Sequence, residues 1–217
     1  MVVAYKSPDS ADTRERILQA ASELFASQGY AATGLRQIVS QAGVSLAMVN
    51  YHFGSKQQLL LSILDRFFDS MIELARRNLP GPGAAEQRLQ RHIGDIVEFF
   101  RRQPALMRVA LLELPRDMPE IISYKADKIR QVVEVASLQL LPALQARGAG
   151  RLRLEILGPA LIGVIASHFL LRPVIENVFA SKFGEEFYRE LPGEITRLVL
   201  HGVQGTGTGE KNHDQAG

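Results

Sequence analysis

The sequence predicts an all-α protein of about nine helices, in which a small three-helix domain leads into a larger helical one. Three observations carry this. Apolar residues recur at helical spacing through most of the chain, and no stretch alternates apolar with polar for long enough to make a strand. Glycine and proline punctuate those stretches, at Gly29, at Asn78-Leu79-Pro80-Gly81-Pro82-Gly83 and at Gly148-Ala149-Gly150. Asp12 with Glu15, and Ser55 with Gln58, have the three-residue spacing of a capping box at a helix start.

Taken in order, residues 1–11 read as a flexible arm. A first helix opens at Asp12 and stripes Ile17, Ala21, Leu24 and Phe25 along one face, and Gly29 closes it. Thr33 is the expected cap of a second helix, which carries Ile38, Val39 and Ala42 inwards. Gly43 stands where a helix end wants positive φ, Val44 plugs the corner, and Ser45 is the N-cap of a third helix reaching to about Phe53. Val49 and Phe53 face inwards from that third helix, leaving Leu46, Ala47, Asn50 and Tyr51 outside. Two short helices across a glycine turn, the second with an exposed mixed face, make a helix-turn-helix.

A long helix follows through Leu59, Ile63, Phe67, Met71 and Leu74, with too wide an apolar surface to pack on one side only. Further helices are expected over about 84–102, from Pro104 to before Pro115, over about 119–146 with a kink at Pro142, over about 151–178 with bends near Pro159 and Pro173, and over about 185–202. The tail 204–217 is polar, glycine-rich and expected to be disordered. The domains are therefore 12–56 for the helix-turn-helix and 57–203 for the second unit.

Composition narrows the function. Hydrophobic residues make up 46% and charged residues 22%, the balance of a folded globular chain. The absence of cysteine removes disulfides, thiolate metal sites and cysteine nucleophiles, and suits a cytoplasmic protein. Ile156 to Leu171 carries no formal charge but falls short of the roughly 20 apolar residues of a bilayer span. Net charge is only +2, and residues 1–56 hold five basic against four acidic residues, so electrostatics supports nucleic-acid binding weakly and the motif must carry that reading.

That motif is dense. The run Thr33-Gly34-Leu35-Arg36-Gln37-Ile38-Val39, then Ala42-Gly43-Val44-Ser45, then Tyr51-His52-Phe53-Gly54-Ser55-Lys56-Gln57-Gln58-Leu59-Leu60 resembles the N-terminal domain of the TetR family of bacterial transcriptional regulators, over roughly residues 12–62. On that resemblance the partner is double-stranded operator DNA read in the major groove. Arg36 forks onto a guanine or holds a phosphate, Leu46 and Ala47 meet thymine methyls, and Asn50 pairs with adenine. Tyr51, His52 and Lys56 match the family's phosphate-holding positions, with packing or capping open as the alternative for His52. Thr33 and Ser45 add hydroxyl and backbone N–H groups at helix starts. Two departures stand out: Asn50 replaces the family's usual tyrosine, and Val39 its usual alanine.

The resemblance also implies a homodimer and a small-molecule effector. Leu157, Ala160, Leu161, Gly163, Val164 and Leu171 on one helix, with Leu191, Ile195 and Leu198 on the last, are the interface candidates, an interior helix being the alternative. Phe99, Phe100, Leu106, Met107, Leu111, Met118, Tyr124, His168 and Phe169 are candidates to line a mainly apolar effector site, or else ordinary core. Arg108 and Arg172 sit where they could hold an anionic group at its mouth. A fatty-acyl compound fits such a lining, and the version of the motif spanning Val49 to Lys56 is similar to regulators of lipid metabolism. The reading is thus a dimeric repressor released from palindromic DNA by a ligand, with no cofactor and no metal. Two alternatives differ in class. One is a helix-turn-helix protein governed by a protein partner. The other is an enzyme using Glu98, Glu113, Asp117 or Glu120 around His92 or His168, for which no nucleophile elbow, phosphate loop or metal-spaced histidine pair exists.

Overall fold

A computed structural model describes residues 10–113, 118–145 and 154–201. Ten helices are present among the described residues: α1 Ser10–Gln28, α2 Leu35–Ala42, α3 Leu46–Phe53, α4 Lys56–Asn78, α5 Ala85–Arg102, α6 Pro104–Leu112, α7 Pro119–Gln145, α8 Leu154–Leu170, α9 Arg172–Val178 and α10 Glu185–His201. The expected arm up to residue 9, the break at 148–150 and the tail 204–217 lie outside the described residues.

The first three helices form because their ends are chemically marked. Gly29 ends α1 at φ 86°, and Gly43 ends α2 at φ 64° with its N–H on the Ser40 carbonyl. Only residues that tolerate positive φ can turn the chain there. Ile17, Phe25, Ile38 and Val49 are fully buried where α1, α2 and α3 meet, and Phe53 closes the group at 7% exposure. Arg16 secures the turn from α1, donating to the Ala42 carbonyl at 2.5 Å and to the Gly43 carbonyl at 3.0 Å.

Helix α4 joins the two halves. Ser55 caps it, its hydroxyl accepting from the Gln58 N–H at 3.1 Å. Its broad apolar surface is used on several sides, since α4 packs against α1, α3, α5, α6 and α7. Leu59, Leu60, Ile63 and Leu64 are completely buried near its start and Phe67, Met71 and Ile72 nearly so further on. α10 lies along α5, and α6 lies against both α1 and α4.

Three expectations are corrected. The first helix already includes Ser10, so Asp12 lies inside it and faces Arg16 at 3.9 Å instead of capping. The bend expected near Pro173 is a full break into two helices at 75°, which raises the count to ten. The break falls at Leu171 because Pro173 has no N–H to continue the ladder and sits in the first turn of α9, where none is needed. Thr33 does not cap α2: Gly34 is the N-cap, with its N–H on the Gln37 side-chain oxygen at 2.7 Å. Pro159 and Pro192 lie within α8 and α10 without ending them. No single helix among the described residues is long and apolar enough to cross a membrane; the bent α8–α9 pair meets the length and composition test only jointly.

Candidate nucleic-acid interface and effector region

Helix α3 stands out from the reading head. Val49 and Phe53 anchor it, while Leu46 (42% exposed), Ala47, Asn50 and Tyr51 (78% exposed) point to solvent. Arg36, the second residue of α2, is exposed, and Ser45 is the N-cap of α3, although its hydroxyl makes no capping bond. An eight-residue helix with apolar, amide and phenol groups outward is the size and chemistry a major groove admits.

Three other residues expected at the DNA are placed differently. Thr33 is 1% exposed, and its hydroxyl donates to the Gly29 carbonyl at 2.8 Å, so it fastens the α1–α2 turn. Lys56 donates to the carbonyls of Tyr30 and Thr33, each at 2.7 Å, and lies 4.2 Å from the centre of the Tyr30 ring. Burial lowers its pKa. Its ammonium is engaged in holding the same turn. His52 packs edge-on to Tyr51, ring centres 5.0 Å apart, and its Nε2 is buried without a hydrogen-bond partner. It therefore packs, and neither caps nor presents a surface donor.

The residues proposed to line an effector site fall into separate places. Phe99, Phe100 and Phe169 share an aromatic cluster with Phe67 and Tyr188 between α4, α5, α8 and α10. Phe100 is completely buried, and Leu106 and Met107 on α6 are 3% and 1% exposed, so these three are core. Leu111 and Met118 are half-buried against that core. Tyr124 belongs to a polar clasp instead. Its hydroxyl donates to Asp65, which together with Asp69 pairs with Lys128 at 2.8 Å. Burial, then the Asp65 bond, raises the Tyr124 pKa.

His168 donates from Nδ1 to the Val164 carbonyl at 2.7 Å, within its own helix, and its ring packs beside Phe183 and Phe187. Arg172 is occupied: it donates to Glu176 at 3.0 Å and to the Phe183 carbonyl at 3.1 Å, closing the α9–α10 corner. Arg108 is exposed and its Nε lies 3.4 Å from the Ala26 carbonyl of α1, at the joint with the reading head. The Arg108 partner lies far away in sequence, whereas His168 and the Glu176 bond of Arg172 use partners four residues away in their own helices.

Residues 17–63, which span the whole α1–α4 junction just described, match the family model for bacterial regulatory proteins of the tetR family. The N-terminal helix-turn-helix region is similar to that of this family. Curated relatives extend the match: the transcriptional activator FasR of Mycolicibacterium smegmatis is 35% identical over 89 residues, 41% of each chain. The transcriptional repressor NicS of Pseudomonas putida is 28% identical over 101 residues, 46% of this chain and 48% of its own. The chain thus spans less than half the length of these relatives. Among solved structures, the fatty acid degradation regulator FadR of Bacillus halodurans superposes with a TM-score of 0.71 at 16% identity, covering 88% of this chain and 96% of its own. FadR of Bacillus subtilis in complex with stearoyl-CoA superposes with a TM-score of 0.70 at 18% identity, covering 88% and 99%. At those identities the structures share the fold.

Within this TetR fold the interface candidates divide. Leu191 and Ile195 are 6% and 3% exposed and belong to the subunit's own core, where α10 lies on α5, so they are withdrawn from the interface. Leu157, Leu161 and Val164 are half-buried, and Ala160, Gly163, Leu171 and Leu198 are open. Sequence reasoning missed the largest apolar groups near them: Ile156 (57% exposed), Val174 (59%), Val178 (68%) and Phe179 (72%). The sequence points to a bend near Pro173, but not to a separate helix starting there with an apolar outward face. The enzyme constellation is not assembled either, since Glu98 pairs with Arg101 and Arg102, Glu113 accepts from Tyr30 and Glu120 from Gln57. Asp117 lies outside the described residues.

Proposed function

We propose that this chain is a homodimeric repressor that reads palindromic operator DNA with α3 in the major groove and is released when a fatty-acyl ligand, such as an acyl-CoA, enters the helical domain. The observation that carries the DNA half is the outward face of Leu46, Ala47, Asn50 and Tyr51 on a helix anchored by Val49 and Phe53. Arg36 and Ser45 flank it, and the first N–H groups of α3 add a phosphate-holding helix start. Relatives of both regulatory signs exist, so repression is part of the proposal.

Dimerisation supplies the second reading helix. The open apolar face of α8, α9 and the end of α10, from Ile156 through Phe179 to Leu198, is large enough in character to seek a twofold copy. Two reading heads then meet successive grooves about 34–36 Å apart. In this reading an acyl chain lies against the half-buried aromatic groups Phe99 and Phe169, and the FadR structure holding stearoyl-CoA motivates that ligand class. Ligand shifts the DNA-competent state only by its differential affinity for the two helix arrangements.

The test uses a duplex selected from a random pool by the protein itself, then titrated with stearoyl-CoA while binding is followed by fluorescence anisotropy. Weakened binding at saturating ligand is expected. An unchanged midpoint sinks the effector half and favours control by a protein partner.

A further inference from the structure

We infer that Glu113, the last residue before the chain leaves α6, is a pin through which α7 positions the reading head, beside the continuous helix α4. The inference deepens the proposed DNA-reading function and rests on it for its regulatory meaning.

Glu113 is bonded in two directions. Its carboxylate accepts from the Tyr30 N–H at 3.0 Å, in the turn between α1 and α2. Its main-chain carbonyl accepts from the Lys125 ammonium at 2.6 Å, reaching from α7. Its own N–H donates to the Val109 carbonyl at 3.1 Å, which fixes it to the end of α6. The carboxylate that grips the reading head and the carbonyl that grips α7 therefore belong to one immobilised residue, so neither contact moves alone.

Within the reading head the turn is fastened by Thr33 on the Gly29 carbonyl and by Lys56, and Glu113 is the contact that ties it to the end of α6. The Tyr30 carbonyl is taken by Lys56 from the start of α4, and its N–H by Glu113. Both main-chain groups of this one residue are thus used by side chains from the two helices that approach the head. The turn leads directly into α2 and, through the Gly43 corner, into α3. A lysine capping the last carbonyl of a helix is an ordinary arrangement and would account for the Lys125 bond alone. It does not account for the carboxylate on Tyr30, nor for a lysine only 5% exposed at the joint. Burying an ammonium is expensive unless its donors are satisfied, so Lys125 holds the Glu113 carbonyl firmly. Burial also lowers its pKa to about 8.

The test is hydrogen exchange at the Tyr30 amide in the full-length chain, free of DNA and of ligand, with thermal melting to check the fold. Glu113→Ala is expected to speed that exchange roughly 10- to 100-fold, the loss of one charge-assisted bond, while Glu113→Gln keeps an acceptor and stays near wild type. Lys125→Met, which never touches Tyr30, is expected to speed the same amide several-fold at an unchanged melting temperature. Should the methionine variant not fold, Lys125→Arg displaces the donor and is read in the same way. Tyr30 exchange within twofold of wild type in the Lys125 variant, or in Glu113→Ala, overturns the inference. Failure to bind any duplex sinks the proposed function instead, because this readout involves no DNA.

Discussion

Gly43→Ala is the substitution on which the reading head depends most sharply. Gly43 adopts φ 64° and ψ 41°, and a left-handed alanine costs roughly 1–2 kcal/mol. A second cost is specific to this chain. A Cβ at Gly43 would stand 2.9 Å from Nη2 of Arg16, the atom that donates to both the Ala42 and Gly43 carbonyls. The guanidinium must move, and a hydrogen bond to a charged donor is worth about 1.5–3 kcal/mol when buried, less at this half-exposed site. The total loss is about 2–4 kcal/mol by these two mechanisms. Urea unfolding at fixed protein concentration measures it. A double-mutant cycle with Arg16→Ala separates the parts, because an arginine already displaced has little more to lose. A loss under about 0.5 kcal/mol for Gly43→Ala refutes the argument. So does strict additivity with Arg16→Ala, which would mean that the arginine never moved.

Three further outcomes follow from named contacts. His92 is 7% exposed between α4 and α5, and burial lowers its pKa from 6.5 to about 4. The unfolded chain therefore binds the extra proton first, and stability present above pH 6.5 falls as pH drops towards 4, by up to roughly 3 kcal/mol. His92→Leu flattens that slope in acid titrations of the urea midpoint, and a slope unchanged by the substitution contradicts the assignment. Asn50→Ala removes an exposed side chain, so the melting temperature holds while affinity for selected DNA drops about 10- to 100-fold, for roughly 1–3 kcal/mol of base readout. Phe179→Glu puts a charge on a residue 72% exposed in the single chain. Sedimentation should then show monomer where wild type shows dimer, and an intact dimer would remove α9 from the interface.

The parts legible in the sequence were those governed by neighbours in the chain. Gly29 and Gly43 signalled their turns because positive φ is a local demand, and Val49 with Phe53 signalled the inner face of α3 because helical spacing is local too. The outward placing of Leu46, Asn50 and Tyr51 followed from the same count. What failed depended on which partner each side chain takes, near or far, and apolar spacing does not decide that. Thr33 and Lys56 looked like surface polar groups, yet the carbonyls of Gly29, Tyr30 and Thr33 use them. Tyr124 and Arg172 were candidates for a ligand until Asp65 and Glu176 claimed them. Leu191 and Ile195 form a stripe that no periodicity can assign to the subunit core or to a partner; α5 decides it.

The central claim is that the exposed face of α3 reads bases, and selection from a random duplex pool tests it most directly. Wild type is expected to enrich an inverted repeat, and Asn50→Ala to change the preferred base at matching positions in both half-sites. Enrichment of no sequence, or of one whose base preferences ignore substitutions at Leu46, Asn50 and Tyr51 alike, would contradict it.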